Sequence, residues 1–217
     1  MTIDLFESLP DIRPSREPIA EGAVLLRGFA RSAEAELIKA LREITDQAPF
    51  RHMSTPGGHQ MSVAMTNCGS AGWVTDRSGY RYDGVDPQSG KPWPVMPSTF
   101  RKLAGDAAAE AGFAGFVADG CLINRYEPGA RMSLHQDRDE NDLGAPIVSV
   151  SLGLPAIFLF GGLKRSDKAQ RYRLEHGDIV VWGGPARLAF HGIAPLADGD
   201  DALMGPQRIN LTFRKAR

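Results

Sequence analysis

Seven short runs follow Gly120: CLINRY, APIVSVSLG, AIFLF, YRLE, IVVW, RLAFHG and RINLTFR. Each is rich in β-branched or aromatic residues, and Gly, Pro or Asp separates one from the next. Such runs are too short for ordinary helices, and their separators demand repeated chain reversal. They predict a set of antiparallel strands over about 120–215, closing as a sandwich or jelly roll. Before Gly120 the pattern is mixed. GAVLLRGF (22–29) reads as a buried strand. Ser32 offers an N-cap for a helix whose apolar face is Leu37, Ile38, Leu41 and Ile44 and which ends before Pro49. A second helix fits Ser98 to about Ala111, with Phe100, Leu103, Ala104, Ala107 and Ala108 on one face and Gly112 closing it. Residues 1–20, punctuated by Pro10, Pro14 and Pro18, read as an irregular lead-in. The fold class is therefore α+β, with helices early and strands late.

The chain has 217 residues, a length that fits one domain. Hydrophobic residues make up 42% and charged residues 24%, close to globular averages, which excludes disorder, collagen and coiled coil. Lys plus Arg is 25 against Asp plus Glu 26, so no global positive field exists to grip nucleic acid without regard to sequence. One segment departs from this balance: Lys164, Arg165, Lys168, Arg171 and Arg173 are opposed only by Asp167. It reads either as a solvated loop or as a local phosphate contact. Two cysteines, Cys68 and Cys121, are too few for a disulfide framework and suit a reducing compartment. MTIDLFESLP has no basic n-region before an apolar stretch, and no apolar run is long enough to span a membrane. The expected location is the cytoplasm.

Of the five histidines, two begin a His-x-Asp triplet: His135-Gln136-Asp137 and His176-Gly177-Asp178. Residues two apart on a strand point the same way, so either pair can offer an imidazole and a carboxylate to one metal. A third ligand from another strand makes the facial triad of non-haem Fe(II) oxygenases, with positions left for a cosubstrate and O2. His176–Asp178 lies between two strand-like runs and reads as a Gly-Asp turn. His135–Asp137 ends a strand and opens the polar run DRDEND, a usual place for ligands. His191, in AFHGI, is the natural third ligand.

The last run alternates strictly. Arg208, Asn210, Thr212 and Arg214 face one side; Ile209, Leu211 and Phe213 face the other. On a half-exposed strand the polar side would meet solvent. Directed into a barrel mouth, an Arg suits a carboxylate, because its fork donates to two oxygens at once. Asn124 and Tyr126 share one face of CLINRY, and together these side chains could hold a dicarboxylic cosubstrate.

Taken together, the stretches TPGGHQMSVAMTNCG, GWVTDRSGYRY, DPQSGKPWPVMP, CLINRYEPGARMSLHQDRDE, APIVSVSLGLPAIFLFGGLKR, LEHGDIVVWGG, FHGI and NLTFR resemble the AlkB family of Fe(II)- and 2-oxoglutarate-dependent dioxygenases, close to its bacterial subgroup. They span about residues 20–214. The resemblance implies a double-stranded β-helix, or jelly roll, with N-terminal helices and a nucleotide-recognition lid over about 50–95. It implies Fe(II) held by His135, Asp137 and His191, with 2-oxoglutarate and O2 as cosubstrates. Arg208 would pair with the distal carboxylate of 2-oxoglutarate, assisted by Asn124 and Tyr126, while Asn210 and Arg214 support its chelating end. Trp73 would stack on a damaged base opposite His135. Asp139 and Arg165 would sit beside that base, Tyr80 on the strand backbone and Met65 in the pocket wall. The implied reaction is oxidative dealkylation of N-alkylated bases, such as 1-methyladenine and 3-methylcytosine, in single-stranded or flipped-out DNA or in RNA, by a monomer. His59 and Ile209 stand where the family pattern has aromatic residues, and residues 197–207 depart from it. Two other readings share part of this evidence. An oxygenase of proteins or small molecules would keep the metal and cosubstrate residues but would not need Trp73, Tyr80 or the basic segment. A metal-binding jelly roll without turnover would have no use for Arg208, Asn210 and Arg214 on one face.

Overall fold

The computed structural model describes residues 15–217. Its strands are β1 (Ser15–Ala20), β2 (Ala23–Arg27), β3 (Arg51–Ser54), β4 (Gln60–Gly69), β5 (Gly72–Asp76), β6 (Gly79–Asp83), β7 (Gly120–Tyr126), β8 (Met132–His135), β9 (Ile147–Gly153), β10 (Ala156–Phe160), β11 (Gln170–Leu174), β12 (Ile179–Trp182), β13 (His191–Ile193) and β14 (Arg208–Arg214). Two helices, α1 (Glu34–Gln47) and α2 (Ser98–Glu110), lie between the early strands. The larger sheet has the order β1-β2-β12-β9-β14-β7-β4-β3 and the smaller β11-β10-β13-β8, while β5 and β6 pair only with each other.

Strand β14 organises the packing. Its apolar side, Ile209, Leu211 and Phe213, joins Ile123, Val148 and Val150 from its neighbours in a core closed by Leu37, Leu41 and Ile44 of α1 and Phe100, Leu103 and Ala107 of α2. The opposite side of the large sheet faces the small one. There Leu122, Tyr126, Val180 and Trp182 meet Phe158 and Phe160 in a second core. All seven residues of β14 are buried, so its polar side chains face the space between the sheets rather than solvent. This two-layer arrangement agrees with the jelly-roll expectation.

Several expectations need correction. Residues 1–14 of the lead-in lie outside the described residues, but 15–20 are not irregular: β1 pairs with β2 from Ser15↔Arg27 to Ala20↔Ala23, with an irregularity after Pro18. Proline is tolerated there because β1 is the edge of its sheet. Ser32 is not the N-cap of α1. It lies inside the 3-10 turn Arg31–Ala33, and Ala33 occupies the cap without a side-chain bond. The segment over about 50–95 contains β3 to β6, and β3 and β4 extend the large sheet. RLAFHG yields only the short β13, because the chain before it makes a 3-10 turn at Gly184–Ala186 and Arg187 turns inward to donate to the carbonyls of Ala145 and Asp137. His176–Asp178 is the turn expected between β11 and β12; Gly177 has φ +86, which a side chain would strain. Both cysteines are free and buried.

Leu211 is fully buried between the sheet and the helices. Leu211→Ala should cost about 2–5 kcal/mol in urea-induced unfolding; a loss below ~1 kcal/mol would contradict this account of the core.

Candidate functional site

A cavity of about 1090 Å³ opens between the two sheets, under the β5–β6 hairpin. Thirteen residues were expected from the sequence to act at one site, and all of them line it: His135, Asp137, His191, Asn124, Tyr126, Arg208, Asn210, Arg214, Met65, Trp73, Tyr80, Asp139 and Arg165.

The histidines come together through sheet register. His135 ends β8, His191 opens β13, and the two are direct partners across those strands. Their ring centroids are 4.4 Å apart. Asp137 lies in the irregular segment that follows β8, where the strand end opens into the polar run. Ligand atoms of the three residues lie within 4.8 Å of one another. Both imidazoles are oriented from behind: Nδ1 of His135 lies 2.9 Å from the Ser133 carbonyl and Nδ1 of His191 lies 3.0 Å from that of Ala189. An Nδ1–H donating to a carbonyl leaves Nε2 as the free donor atom, the tautomer a metal requires. Those Nε2 atoms stand 3.5 and 3.7 Å from the Asp137 carboxylate. Two nitrogens and one oxygen in this arrangement fit the facial triad of an Fe(II) oxygenase.

Behind Asp137 lies a balanced cluster of buried charge. Nε of Arg214 donates to Asp137 Oδ2 at 3.0 Å, and the same guanidinium lies 3.3 Å from Glu140. Arg187 donates to the other Glu140 oxygen at 3.0 Å and to the Asp137 backbone carbonyl at 2.7 Å. Two carboxylates and two guanidiniums thus neutralise one another in a region withdrawn from water, as buried ions must. Burial opposes the charge on Asp137, but Arg214 and the two imidazoles more than offset it and hold the carboxyl well below its ordinary range. The His191 imidazole is lowered to about 4, first by burial and then by the neighbouring His135. Burial also works against a charged His135, but its hydrogen bond to Asp137 raises it above the ordinary value.

Arg208 is the opposite case. It is 1% exposed, and among the described residues its guanidinium makes one hydrogen bond, from Nη2 to Ser151 Oγ at 2.9 Å. Its Nε and Nη1 are buried without partners, and among the described residues no carboxylate forms a salt bridge with it. The guanidinium sits 5.0 Å over the Tyr126 ring, which contributes a cation–π contact but no anion. An unpaired buried charge is costly, and burial lowers this one's affinity for its proton. A small carboxylate entering the cavity would meet two free N–H donors, so the residues present fit a dicarboxylic cosubstrate. Register places Asn124 opposite Asn210, and Asn124 Oδ1 is likewise buried without a partner. Asn210 is engaged internally, donating to Ser149 at 2.8 Å and accepting from Thr212 at 2.9 Å. Arg214 is committed to Asp137 and Glu140.

The mouth of the cavity is aromatic and acidic. Trp73 stacks on Tyr80 with centroids 5.7 Å apart and planes 20° apart. Its indole N–H donates to Asp139 at 2.8 Å, while Asn67 fixes its backbone through bonds to both N–H and carbonyl. Arg165 lies on the other rim, 5.2 Å over the Phe190 ring. The remaining basic residues, Lys164, Lys168, Arg171 and Arg173, are exposed and away from the cavity lining. His59 is on the cavity wall, whereas Ile209 faces the helix-side core. Sequence reasoning missed Glu140, Arg187, Ser151 and Tyr82. Glu140 looked like one more charge in DRDEND, and only its burial distinguishes it.

The titrations give a direct check on the metal-free protein. Between about 6.5 and 4 the unfolded chain takes up a proton at His191 that the folded state refuses, so this group lowers stability as pH falls through that window. Imidazole NMR should show His191 neutral at pH 5 and His135 titrating above its ordinary value. Two rings titrating together near 6.5 would contradict the geometry.

The 2OG-Fe(II) oxygenase superfamily model matches residues 22–214. The alpha-ketoglutarate-dependent dioxygenase AlkB of Escherichia coli (strain K12) is 59% identical, covering 99% of this chain and 98% of that protein. The DNA N(6)-methyladenine demethylase ALKBH1C of Arabidopsis thaliana is 32% identical over 68% of this chain and 38% of its own. The solved structure of OsALKBH1 superposes with a TM-score of 0.80 at 29% identity, covering 93% of this chain and 100% of that one. A His–Asp–His cluster able to hold a metal, an unpaired buried arginine and a jelly roll thus meet in a chain similar nearly throughout its length to an alpha-ketoglutarate-dependent dioxygenase, and the chain belongs to the AlkB family of Fe(II)- and 2-oxoglutarate-dependent dioxygenases.

Proposed function

We propose that this chain is a nucleic-acid repair enzyme that oxidatively dealkylates N-alkylated bases, including 1-methyladenine and 3-methylcytosine, in single-stranded or flipped-out DNA and in RNA. The observation that carries this reading is the arrangement of one cavity: a two-His, one-carboxylate cluster, an unpaired buried guanidinium, and a stacked Trp–Tyr pair beside an acid at the mouth. With Fe(II), 2-oxoglutarate and O2 bound, the site supplies oxidation of the N-alkyl carbon, releasing formaldehyde, succinate and CO2. His135, Asp137 and His191 are the residues to hold the metal. Arg208 receives the distal carboxylate of the cosubstrate, with Asn124 and Tyr126 beside it, and Asn210 and Arg214 brace the chelating end. Arg214 does so through its grip on Asp137.

The substrate follows from the mouth. A base within a duplex cannot reach a metal between two sheets, so it must be unpaired or flipped out. Alkylation at a pairing position lowers that cost and leaves the base positively charged. The Trp73 face and the Asp139 carboxylate attract such a cation. Met65 closes the wall, Tyr80 contacts the strand, and Arg165 sits beside the base. The near-balanced charge of the chain suits brief contact with a few phosphates rather than a lasting grip on duplex. We further propose that residues 1–217 form one dioxygenase domain, acting as a monomer in the cytoplasm. Within the described residues no helix is long and apolar enough to cross a membrane.

The test is formaldehyde release from single-stranded oligomers carrying 3-methylcytosine or 1-methyladenine, DNA and RNA in parallel, with Fe(II) and 2-oxoglutarate. No release from any of them would overturn the reading. His135→Ala or Asp137→Ala should abolish turnover, and an active variant would refute the ligand set. Arg208→Ala should raise the 2-oxoglutarate KM by about 30-fold or more, as expected when a buried ion loses its partner; an unchanged KM would refute its anchoring role.

A further inference from the structure

We propose that Tyr82 is a positioning residue that docks the base-gripping β5–β6 hairpin onto the metal-site loop, with Glu140 as the junction between them. The proposal deepens the dealkylase reading above and rests on it for the identity of what the hairpin grips.

The hairpin carries Trp73 and Tyr80, yet it shares no backbone ladder with either larger sheet. Its placement is therefore set by side chains: on the β5 side Val74 is buried in the second core and Thr75 Oγ1 donates to the Ser54 carbonyl at 3.2 Å. Asn67 adds a polar tie from β4 to the Trp73 backbone. The β6 side reaches across to the loop after β8. The Tyr82 hydroxyl donates to Glu140 Oε1 at 2.6 Å and accepts from Arg214 Nη1 at 3.2 Å. Glu140 is three residues beyond Asp137, and its second oxygen is held by Arg187, which also donates to the Asp137 backbone carbonyl. The same loop meets the hairpin again where Trp73 donates to Asp139. Thus the loop that presents the metal carboxylate is also the seat of the hairpin that grips the base.

The two loop contacts are not equal. Trp73–Asp139 is exposed to water and to a competing substrate. Tyr82–Glu140 is part-buried, its carboxylate shielded from water, and it is made to a charged acceptor, the stronger class of hydrogen bond. Burial raises the phenol well above its ordinary value, Arg214 opposing and the neighbouring carboxylates adding, so it remains a protonated donor throughout the working pH range. The arrangement keeps Trp73 at a set height over the cavity while the bond between Trp73 and Asp139 is free to yield to a base.

Tyr82→Phe removes the hydroxyl alone. Glu140 keeps both guanidiniums, so no buried charge is orphaned and the fold should survive. Two measurements test the proposal. In metal-free protein, amide exchange of residues 72–83 should accelerate about tenfold, the worth of one hydrogen bond to a buried ion, while β9 and β14 are unchanged. In the Fe(II)-loaded enzyme, the KM for a 3-methylcytosine oligomer should rise about five- to tenfold, with kcat and the 2-oxoglutarate KM within twofold. Unchanged exchange in the hairpin would overturn the tie. Faster exchange spread over β9 and β14, or a loosened hairpin with an unchanged oligomer KM, would overturn the positioning role. The exchange measurement needs no substrate, so it decides the tie even if the wild-type protein releases no formaldehyde.

Discussion

A guanidinium taken out of water must find an anion or destabilise the fold that buries it. Strand β14 buries two, on one face and six residues apart, and the protein treats them differently. Arg214 is neutralised inside the molecule by Asp137 and Glu140, within a cluster that Arg187 completes. Arg208 is left with a serine hydroxyl and an aromatic face. One charge is therefore satisfied within the protein, and the other meets no anion among the described residues. Both charges come from one strand, whose whole polar side lines the cavity.

The rest of the fold supports that division. The apolar side of β14 is locked under two helices, so the strand cannot turn its charges outward. Its neighbours β7 and β9 bring Tyr126, Asn124, Ser149 and Ser151 into register beside it. The small sheet supplies the opposite wall, and pairing of β8 with β13 sets the two histidines side by side. Closing the mouth falls to a hairpin whose only ladder is internal. That construction separates a sheet-built floor, which carries the His–Asp–His cluster and Arg208, from a roof that shares no ladder with it.

Much of this was legible in the sequence, for identifiable reasons. Strict alternation in RINLTFR announced two faces of different chemistry, and the strand is long enough for the pattern to be unambiguous. The α2 boundaries were legible because an apolar stripe ends at a glycine that takes φ +96. The family motifs named the residues that line the cavity. What remained hidden was set by tertiary context. Pro18 disguised an edge strand, where a missing N–H costs nothing. The lid strands were masked by polar and glycine-rich stretches that only pairing with β7 and with each other converts to sheet. Glu140 and Arg187 carried no local signal, because an ion pair between residues 47 positions apart is visible only once both are buried.

The central claim is that the unpaired charge of Arg208 is the receptor for the far end of the cosubstrate. The direct measurement is calorimetric binding to protein loaded with Mn(II) in place of Fe(II), comparing 2-oxoglutarate with 2-oxopentanoate. The analogue keeps the chelating end and chain length and lacks only the distal carboxylate. Leaving a buried charge without its partner costs about 2–5 kcal/mol, so the analogue should bind at least ~30-fold more weakly in the wild-type protein. The two ligands should bind about equally to Arg208→Met. Equal affinity of both ligands for the wild-type protein would contradict the account.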